Sequence, residues 1–120
     1  MSWNILATLG TIAGIGTESA DFLRKNDCKV TIAEPFRAQS AADLQRLLPG
    51  IQAVYAGADE FSAELLTSSE AAELQIISRW GVGFERIDVD AATAHGIVIA
   101  YTPGMLDEAV ADYTFALLLG

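Results

Sequence analysis

Short apolar runs alternate along the chain with stretches in which apolar residues recur at helical spacing. The runs predict strands at residues 4–9, 28–33, 51–56, 74–80 and 97–101. The stretches between them predict helices at about 17–26, 40–48, 62–66, 88–95 and from 107 onwards.

The clearest helix signals surround the second predicted helix. Ser40 is a typical N-cap residue, and Asp43 lies three residues on, in the capping-box position. Pro49 and Gly50 end the helix. Its buried stripe, at the spacing i, i+3, i+4, consists of Leu44, Leu47 and Leu48.

The other helix ends carry weaker signals. Thr17 is a plausible N-cap, and Asn26 is expected to adopt the left-handed conformation that ends the first helix. Asp88 is expected to cap the helix that ends before Gly96. The segment 68–73 does not favour one type of element.

Strands that alternate with helices through short loops are typical of an α/β fold with a parallel sheet covered on both faces. Right-handed crossovers limit the topology, and we predict the flavodoxin-like strand order 2-1-3-4-5 in a three-layer domain. Ligands of such sheets bind at the carboxyl ends of the strands. The loops at that edge should be 10–16, 35–39, 57–61, 80–84 and 102–106.

Composition and net charge limit the classes of partner that the protein could bind. The 120 residues suffice for one domain, and 52% of them are hydrophobic, which allows a core. The net charge of −9 argues against nucleic acid and against anionic membranes, which both need a basic surface. Cys28 is the single cysteine, so an internal disulfide is excluded and a reduced, cytoplasmic location is expected. We also expect no signal peptide and no membrane span.

Two glycine turns follow predicted strands. Gly14 and Gly16 precede a helix, and Glu34 lies about 20 residues further on, as in a dinucleotide-binding fingerprint. Ser19 stands where that fingerprint has its third glycine, so we interpret the loop as an ordinary surface loop. The second turn, 81–83, could bring successive backbone amides to a carboxylate, although a plain turn has the same pattern.

From residue 74 onwards the chain resembles the D-isomer-specific 2-hydroxyacid dehydrogenases, the group that includes D-3-phosphoglycerate dehydrogenase. The matching motifs are RWGVGF at 79–84, ID at 87–88, DAA at 90–92, HGIV at 95–98, TPG at 102–104 and EAVAD at 108–112. The resemblance implies a substrate-binding domain at residues 1–105. It also implies an interdomain helix at 106–120, truncated before an NAD-binding domain.

The resemblance also implies site residues. The amides of Val82 and Gly83 would bind the carboxylate of a small 2-hydroxy or 2-oxo acid, and Arg79 beside them could add positive charge. Gly57 and Ala58 would face the same cleft. Some family members have a substrate-binding arginine at the place of Ala58, which argues against a phosphorylated substrate.

The family's cofactor site and catalytic residues belong to the nucleotide-binding domain. The resemblance therefore implies NAD or NADP in the complete enzyme, no cofactor and no catalytic residue in this chain, and no activity of the chain alone. His95, the single histidine, ends a short helix and is interpreted as structural.

The last predicted helix is apolar nearly all round, which predicts burial on several sides. We therefore expect a homodimer through residues 106–120.

Two other functions remain open at this point: a stand-alone flavodoxin-like binding or regulatory module, and a small Rossmann nucleotide-binding domain that uses Gly14, Gly16 and Glu34.

Overall fold

The computed structural model describes residues 2–8, 17–34, 38–80, 83–103 and 107–119, without the side chains of 17 and 107–110. Within these ranges, strands and α-helices alternate as the sequence predicts. The strands are β1 (Trp3–Ala7), β2 (Cys28–Ile32), β3 (Ala53–Ala56), β4 (Ile76–Arg79) and β5 (Val98–Ala100). The helices are α1 (Thr17–Lys25), α2 (Ala41–Leu47), α3 (Ala63–Leu66), α4 (Val89–Ala94) and α5 (Asp107–Leu119).

The five strands form one parallel sheet in the order β2-β1-β3-β4-β5. The predicted α/β class and strand order are therefore confirmed. Because all the strands are parallel, their carboxyl ends lie along one edge of the sheet. In the register of β3 and β4, Ala56 lies opposite Arg79 at this edge.

The capping box of α2 forms as predicted. The backbone N–H of Asp43 donates to the Ser40 hydroxyl at 3.2 Å, and the N–H of Ser40 donates to the Asp43 carboxylate at 3.2 Å. Leu44 and Leu48 are fully buried and Leu47 is partly buried, so the apolar stripe faces the sheet. The sequence thus determines both the start of this helix and its orientation.

The end of α1 differs from the prediction. Asp27, rather than Asn26, has the left-handed backbone, with φ of 62°. The Asn26 side-chain amide instead donates to the carbonyl of Phe22 at 2.8 Å. Asp and Asn both tolerate the left-handed region, and here the Asn26 side chain satisfies a helix-end carbonyl one residue before the turn.

The helix α4 ends as predicted. Gly96 has φ of 69°, and the Asp88 carboxylate caps the start of the helix by accepting from the Ala91 N–H at 3.0 Å.

Strands β3 and β4 begin two residues later than predicted. Ile51 and Leu74 are buried, but their N–H groups donate to Leu48 and Ala71 in the preceding turns instead of to a neighbouring strand. Apolar character therefore predicts burial of these residues but not their pairing. The ambiguous segment 68–73 contains a short 3₁₀ helix at Ser69–Ala71.

The two faces of the sheet are covered unequally. The main core lies on the face of α2, α3 and α4, where Leu44, Leu65 and Ala92 meet residues of the central strands. The other face is covered by α1, and its buried core consists of Ala7 and Ala20. Partly buried side chains extend that core; they are Val30, Ile32 and Tyr55.

None of the helices in the described ranges has the length and apolar character required to cross a bilayer. The most apolar, α5, has 13 residues, whereas a span needs about 20.

Substitution of Gly50 tests how much a left-handed backbone conformation contributes to the stability of the fold. Its φ is 79°, and no atom would contact an added Cβ within 4 Å. We expect Gly50→Ala to lower the free energy of unfolding by about 1 kcal/mol, because a left-handed alanine is strained. Urea denaturation measures the change. Gly50→Asn is the control and should cost less, since asparagine tolerates this region; equal losses would indicate a cause other than backbone strain.

Candidate functional site

A small cleft lies at the carboxyl edge of the sheet, where β3 and β4 end. It holds about 20 Å³, the space of about one water molecule. Its walls are the loop after β3 and the segment after β4, with the lining residues Ala58, Asp59, Arg79, Gly83, Phe84, Glu85, Arg86 and Ile87. Three predicted site residues, Ala58, Arg79 and Gly83, therefore meet at one place. Val82, Gly14 and Gly16 lie outside the described residues.

The Asp59 carboxylate holds the cleft's framework together. Asp59 is 1% exposed. One carboxylate oxygen accepts from the Gln39 N–H at 2.7 Å, and the other accepts from the Gly57 N–H at 3.0 Å and from the Thr8 hydroxyl. The three donors come from the end of β1, the segment before α2 and the loop after β3. One buried side chain thus fixes three of the connections at this edge.

Backbone bonds tie the loop after β3 to the segment after β4. The N–H of Phe61 donates to the carbonyl of Arg86 at 2.9 Å, and the N–H of Asp88 donates to the carbonyl of Phe61 at 2.9 Å. Phe61 is fully buried. These two hydrogen bonds therefore fix the distance between the two walls of the cleft.

Gly57 is half-buried, and its N–H is shared between the Asp59 carboxylate and the Thr8 hydroxyl at 3.0 and 3.1 Å. The amide of Gly57 is thus occupied inside the protein. A ligand would meet Gly57 through its Cα or its carbonyl group. Ala58 is exposed, and its N–H has no acceptor among the described residues.

Two arginines supply positive charge at the cleft. Arg79 is half-buried, and its guanidinium donates to the carbonyl of Trp80. Arg86, which also lines the cleft, is exposed. Within the described ranges, no carboxylate lies within 4 Å of either guanidinium. Both charges are consequently available to a small anion.

The carboxylate of Glu85 offsets the positive charge of the two arginines. A Cβ added to Gly83 would lie 2.7 Å from a carboxylate oxygen of Glu85, so this exposed side chain lies against the glycine backbone. Glycine at position 83 leaves room for this close approach. The side chain is flexible and can move away from the glycine backbone.

Trp80, the residue after β4, is 52% exposed. Phe84 and Tyr101 are also exposed and contact each other edge to face, with ring centroids 5.2 Å apart. The rim of the cleft is therefore aromatic.

Other candidate sites have less support. Glu34 is exposed just after β2, and the glycine loop that would accompany it in a nucleotide site lies outside the described residues. Among the described residues, no group of three or more His, Cys, Asp or Glu could hold a metal ion. A much larger hollow, of about 630 Å³, lies away from the cleft on the α1 face of the sheet.

The sequence did not single out Asp59. An acidic residue three positions after an apolar strand looks like an ordinary loop residue, because its burial depends on donors from residues 8 and 39. The available signal was its place at the carboxyl edge, where loops of different strands converge.

The comparisons with known proteins agree with this fold. The family model for the catalytic domain of D-isomer specific 2-hydroxyacid dehydrogenases matches residues 10–116. The match covers most of the 120 residues, so the chain belongs to this family.

Among curated relatives, a glyoxylate reductase of Aeropyrum pernix is 46% identical over 61 residues, which are 51% of this chain and 18% of that protein. A D-3-phosphoglycerate dehydrogenase of Archaeoglobus fulgidus is 34% identical over 106 residues, which are 88% of this chain and 19% of that protein. This chain thus spans less than a fifth of the length of these relatives.

The solved structures match over almost the whole chain. The TT0316 protein of Thermus thermophilus has a TM-score of 0.77 at 30% identity, covering 97% of this chain and 35% of that chain. The NAD+-bound 3-phosphoglycerate dehydrogenase of Entamoeba histolytica has a TM-score of 0.83 at 21% identity, covering 98% and 38%. At that identity the second match supports the fold alone.

Asp59→Ala should lower the free energy of unfolding by about 3 kcal/mol, because it leaves buried donors without their charged acceptor. Urea denaturation followed by circular dichroism measures the loss. Glu73→Ala, which removes an exposed carboxylate outside α5, is the matched control and should change stability by no more than about 0.5 kcal/mol. Equal stabilities of the two variants would contradict the role of Asp59.

Proposed function

We propose that this chain is the substrate-binding domain of an NAD-dependent oxidoreductase that interconverts a D-2-hydroxyacid and a 2-oxoacid. In this proposal, residues 1–105 bind the acid and residues 106–120 connect to a nucleotide-binding domain. The main support is the convergence of Ala58, Arg79 and Gly83 on one cleft in a chain of this dehydrogenase family. The stand-alone module and the small Rossmann domain have no comparable support.

The substrate carboxylate would bind to the backbone of Val82 and Gly83. Successive amides in a glycine turn form a concave site for anions, and Arg79 and Arg86 provide positive potential beside it. This local charge has to act against a net charge of −9, which favours a small anion that enters the cleft over one held at the surface. Ala58 and Gly57 would form the opposite wall.

The charge of the cleft favours a monoanionic acid. Glu85 adds a negative charge next to Gly83. Ala58 offers no charge for a second anionic group. A compact acid such as glyoxylate fits this description better than a phosphorylated acid. The glyoxylate reductase of Aeropyrum pernix, 46% identical over 61 residues, is consistent with this choice.

The cofactor, NAD or NADP, would be held by the nucleotide-binding domain. The described part of the cleft has no space for a dinucleotide, so these residues do not themselves fit the cofactor. The matched 3-phosphoglycerate dehydrogenase of Entamoeba histolytica has NAD+ bound, and a D-lactate dehydrogenase of Aquifex aeolicus is complexed with NAD and lactic acid. When bound, the nicotinamide would accept or donate the hydride; this chain would bind and orient the acid.

The homodimer and the cytoplasmic location stay predictions. The exposed apolar side chains of α5 support self-association, and the free thiol of Cys28 supports a reducing compartment.

Binding of glyoxylate to this chain tests the proposed site. We expect the backbone amide signal of Gly83 to shift saturably in ¹H–¹⁵N spectra, and 3-phosphoglycerate to bind more weakly at equal ionic strength. Arg79→Leu should weaken glyoxylate binding about tenfold, since it removes a charge-assisted contact. Arg46→Leu, at an exposed arginine on α2 paired with Asp43, is the control and should leave binding unchanged. No shift at Gly83, or equal effects of both variants, would contradict the site.

The chain alone should not catalyse the reaction, because hydride transfer requires a nicotinamide positioned against the substrate and an acid–base group in reach. Oxidation of NADH with glyoxylate, followed by absorbance, should not exceed the rate without protein. A rate proportional to the concentration of pure chain, and lost in Arg79→Leu but not in Arg46→Leu, would contradict the proposal that this chain binds the acid without catalysing the reaction.

A further inference from the structure

The rings of Phe84 and Tyr101 connect the segment after β4 to the end of β5. Their centroids lie 5.2 Å apart and their planes are inclined by 66°, which is an edge-to-face contact. Aromatic pairs in this geometry attract each other beyond the effect of the apolar area that they bury. Both side chains are exposed, at 41% and 45%, so the contact lies at the surface and is not part of the core.

The sheet determines the position of Tyr101. This residue follows Ala100, the last residue of β5, and Ala100 pairs with Ser78 of β4. Tyr101 therefore leaves the sheet at the carboxyl edge, beside the end of β4 that carries Arg79. Phe84, in contrast, lies in the irregular segment between β4 and α4. The ring contact thus joins a residue of irregular structure to one that is placed by a strand.

Backbone hydrogen bonds fix mainly the later part of that irregular segment. The bonds to Phe61 begin at Arg86, and the N–H of Ile87 donates to the carbonyl of Phe84 at 3.0 Å, which closes a turn. Within the described ranges, neither the N–H nor the carbonyl of Gly83 makes a hydrogen bond. The backbone bonds therefore leave the glycine end of the segment less constrained than the end that leads into α4.

The ring contact constrains the glycine end. Phe84 follows Gly83 directly in the chain, and both residues line the cleft together with Arg79. A Phe84 ring that packs against Tyr101 limits the movement of the peptide bond between Phe84 and Gly83. Glycine loses more conformational freedom on ordering than any other residue, so a fixed neighbour has a large effect at this position.

We propose that Tyr101 is a positioning residue of the acid-binding site: it holds Phe84, and Phe84 fixes the backbone of Gly83 beside the cleft. A group that is already ordered binds its ligand more tightly, because the ligand does not have to order it. Tyr101 acts through Phe84 and is assigned no contact with the acid. The inference rests on the proposed function for the identity of the ligand, but not for the ordering of Gly83.

The ring of Tyr101, and not its hydroxyl group, carries this role. Among the residues that the structure describes, the hydroxyl makes no hydrogen bond, and the contact with Phe84 is between the two rings. Tyr101→Phe keeps the ring and its edge, whereas Tyr101→Ala removes both. A comparison of the two variants therefore separates the ring contact from any other effect of a substitution at this position.

Nuclear relaxation of the ligand-free chain tests the ordering of Gly83. The ¹H–¹⁵N heteronuclear NOE of Gly83 should fall below the values of β4 in Tyr101→Ala and keep the parent value in Tyr101→Phe. Phe22→Ala is the control and should leave Gly83 unchanged, because Phe22 is also exposed, at 66%, but belongs to α1. Circular dichroism verifies that all variants are folded. An unchanged Gly83 in Tyr101→Ala, or an equal loss of order in Tyr101→Phe, would overturn the inference.

Titration with glyoxylate tests the consequence for binding. The dissociation constant, measured from the amide signal of Gly83, should rise about fivefold in Tyr101→Ala, since an edge-to-face pair stabilises by an amount of that order. It should rise by less than about twofold in Tyr101→Phe, because the ring contact is kept. Loss of order at Gly83 with unchanged affinity in Tyr101→Ala would overturn the positioning role.

The two measurements together distinguish this inference from the proposed function. A parent chain that binds no glyoxylate, with Gly83 disordered in Tyr101→Ala and ordered in Tyr101→Phe, would contradict the proposed function and support the role of the ring contact. A parent chain that binds glyoxylate, with the same order and affinity in Tyr101→Ala, would support the proposed function and overturn the role of Tyr101.

Discussion

The buried carboxylate of Asp59 is the constraint on which the functional edge of this domain depends. It accepts hydrogen bonds from residues that follow β1, precede α2 and follow β3, and these segments are far apart in the sequence. A buried carboxylate is stable only when its oxygens are satisfied by such donors. Because the loop after β3 is bonded in turn to the segment after β4 through Phe61, the position of Asp59 propagates to both walls of the cleft. The buried side chain of Asp59 therefore helps to fix the backbone positions around Arg79 and Gly83.

Among the described residues, the two faces of the sheet are covered to different extents. The face of α2, α3 and α4 contains the large core and supplies the stability. The face of α1 has a small core and an open groove, while the apolar α5 is exposed. The cleft at the strand ends, in contrast, is lined by two arginines, Arg79 and Arg86.

Features that depend on local chemistry were predictable from the sequence. The capping box of Ser40 and Asp43, the cap of Asp88 and the left-handed Gly96 each involve residues within a few positions of one another. Features that depend on distant neighbours were predicted less well. Strands β3 and β4 were predicted too long because Ile51 and Leu74 are buried in turns. The role of Asp59 was missed, since nothing local distinguishes it from a surface aspartate.

The sequence by itself determined the α/β class, the strand order and the family, because hydrophobic periodicity, turn residues and the motifs from Arg79 to Asp112 are local properties of the chain. The family resemblance also selected Ala58, Arg79 and Gly83 as site residues, and these three line one cleft. Only the tertiary structure decided that the Gly57 amide is occupied, that Glu85 lies against Gly83 and that one sheet face is open. These properties arise from contacts between segments far apart in the sequence, and such contacts exist only once the sheet has assembled.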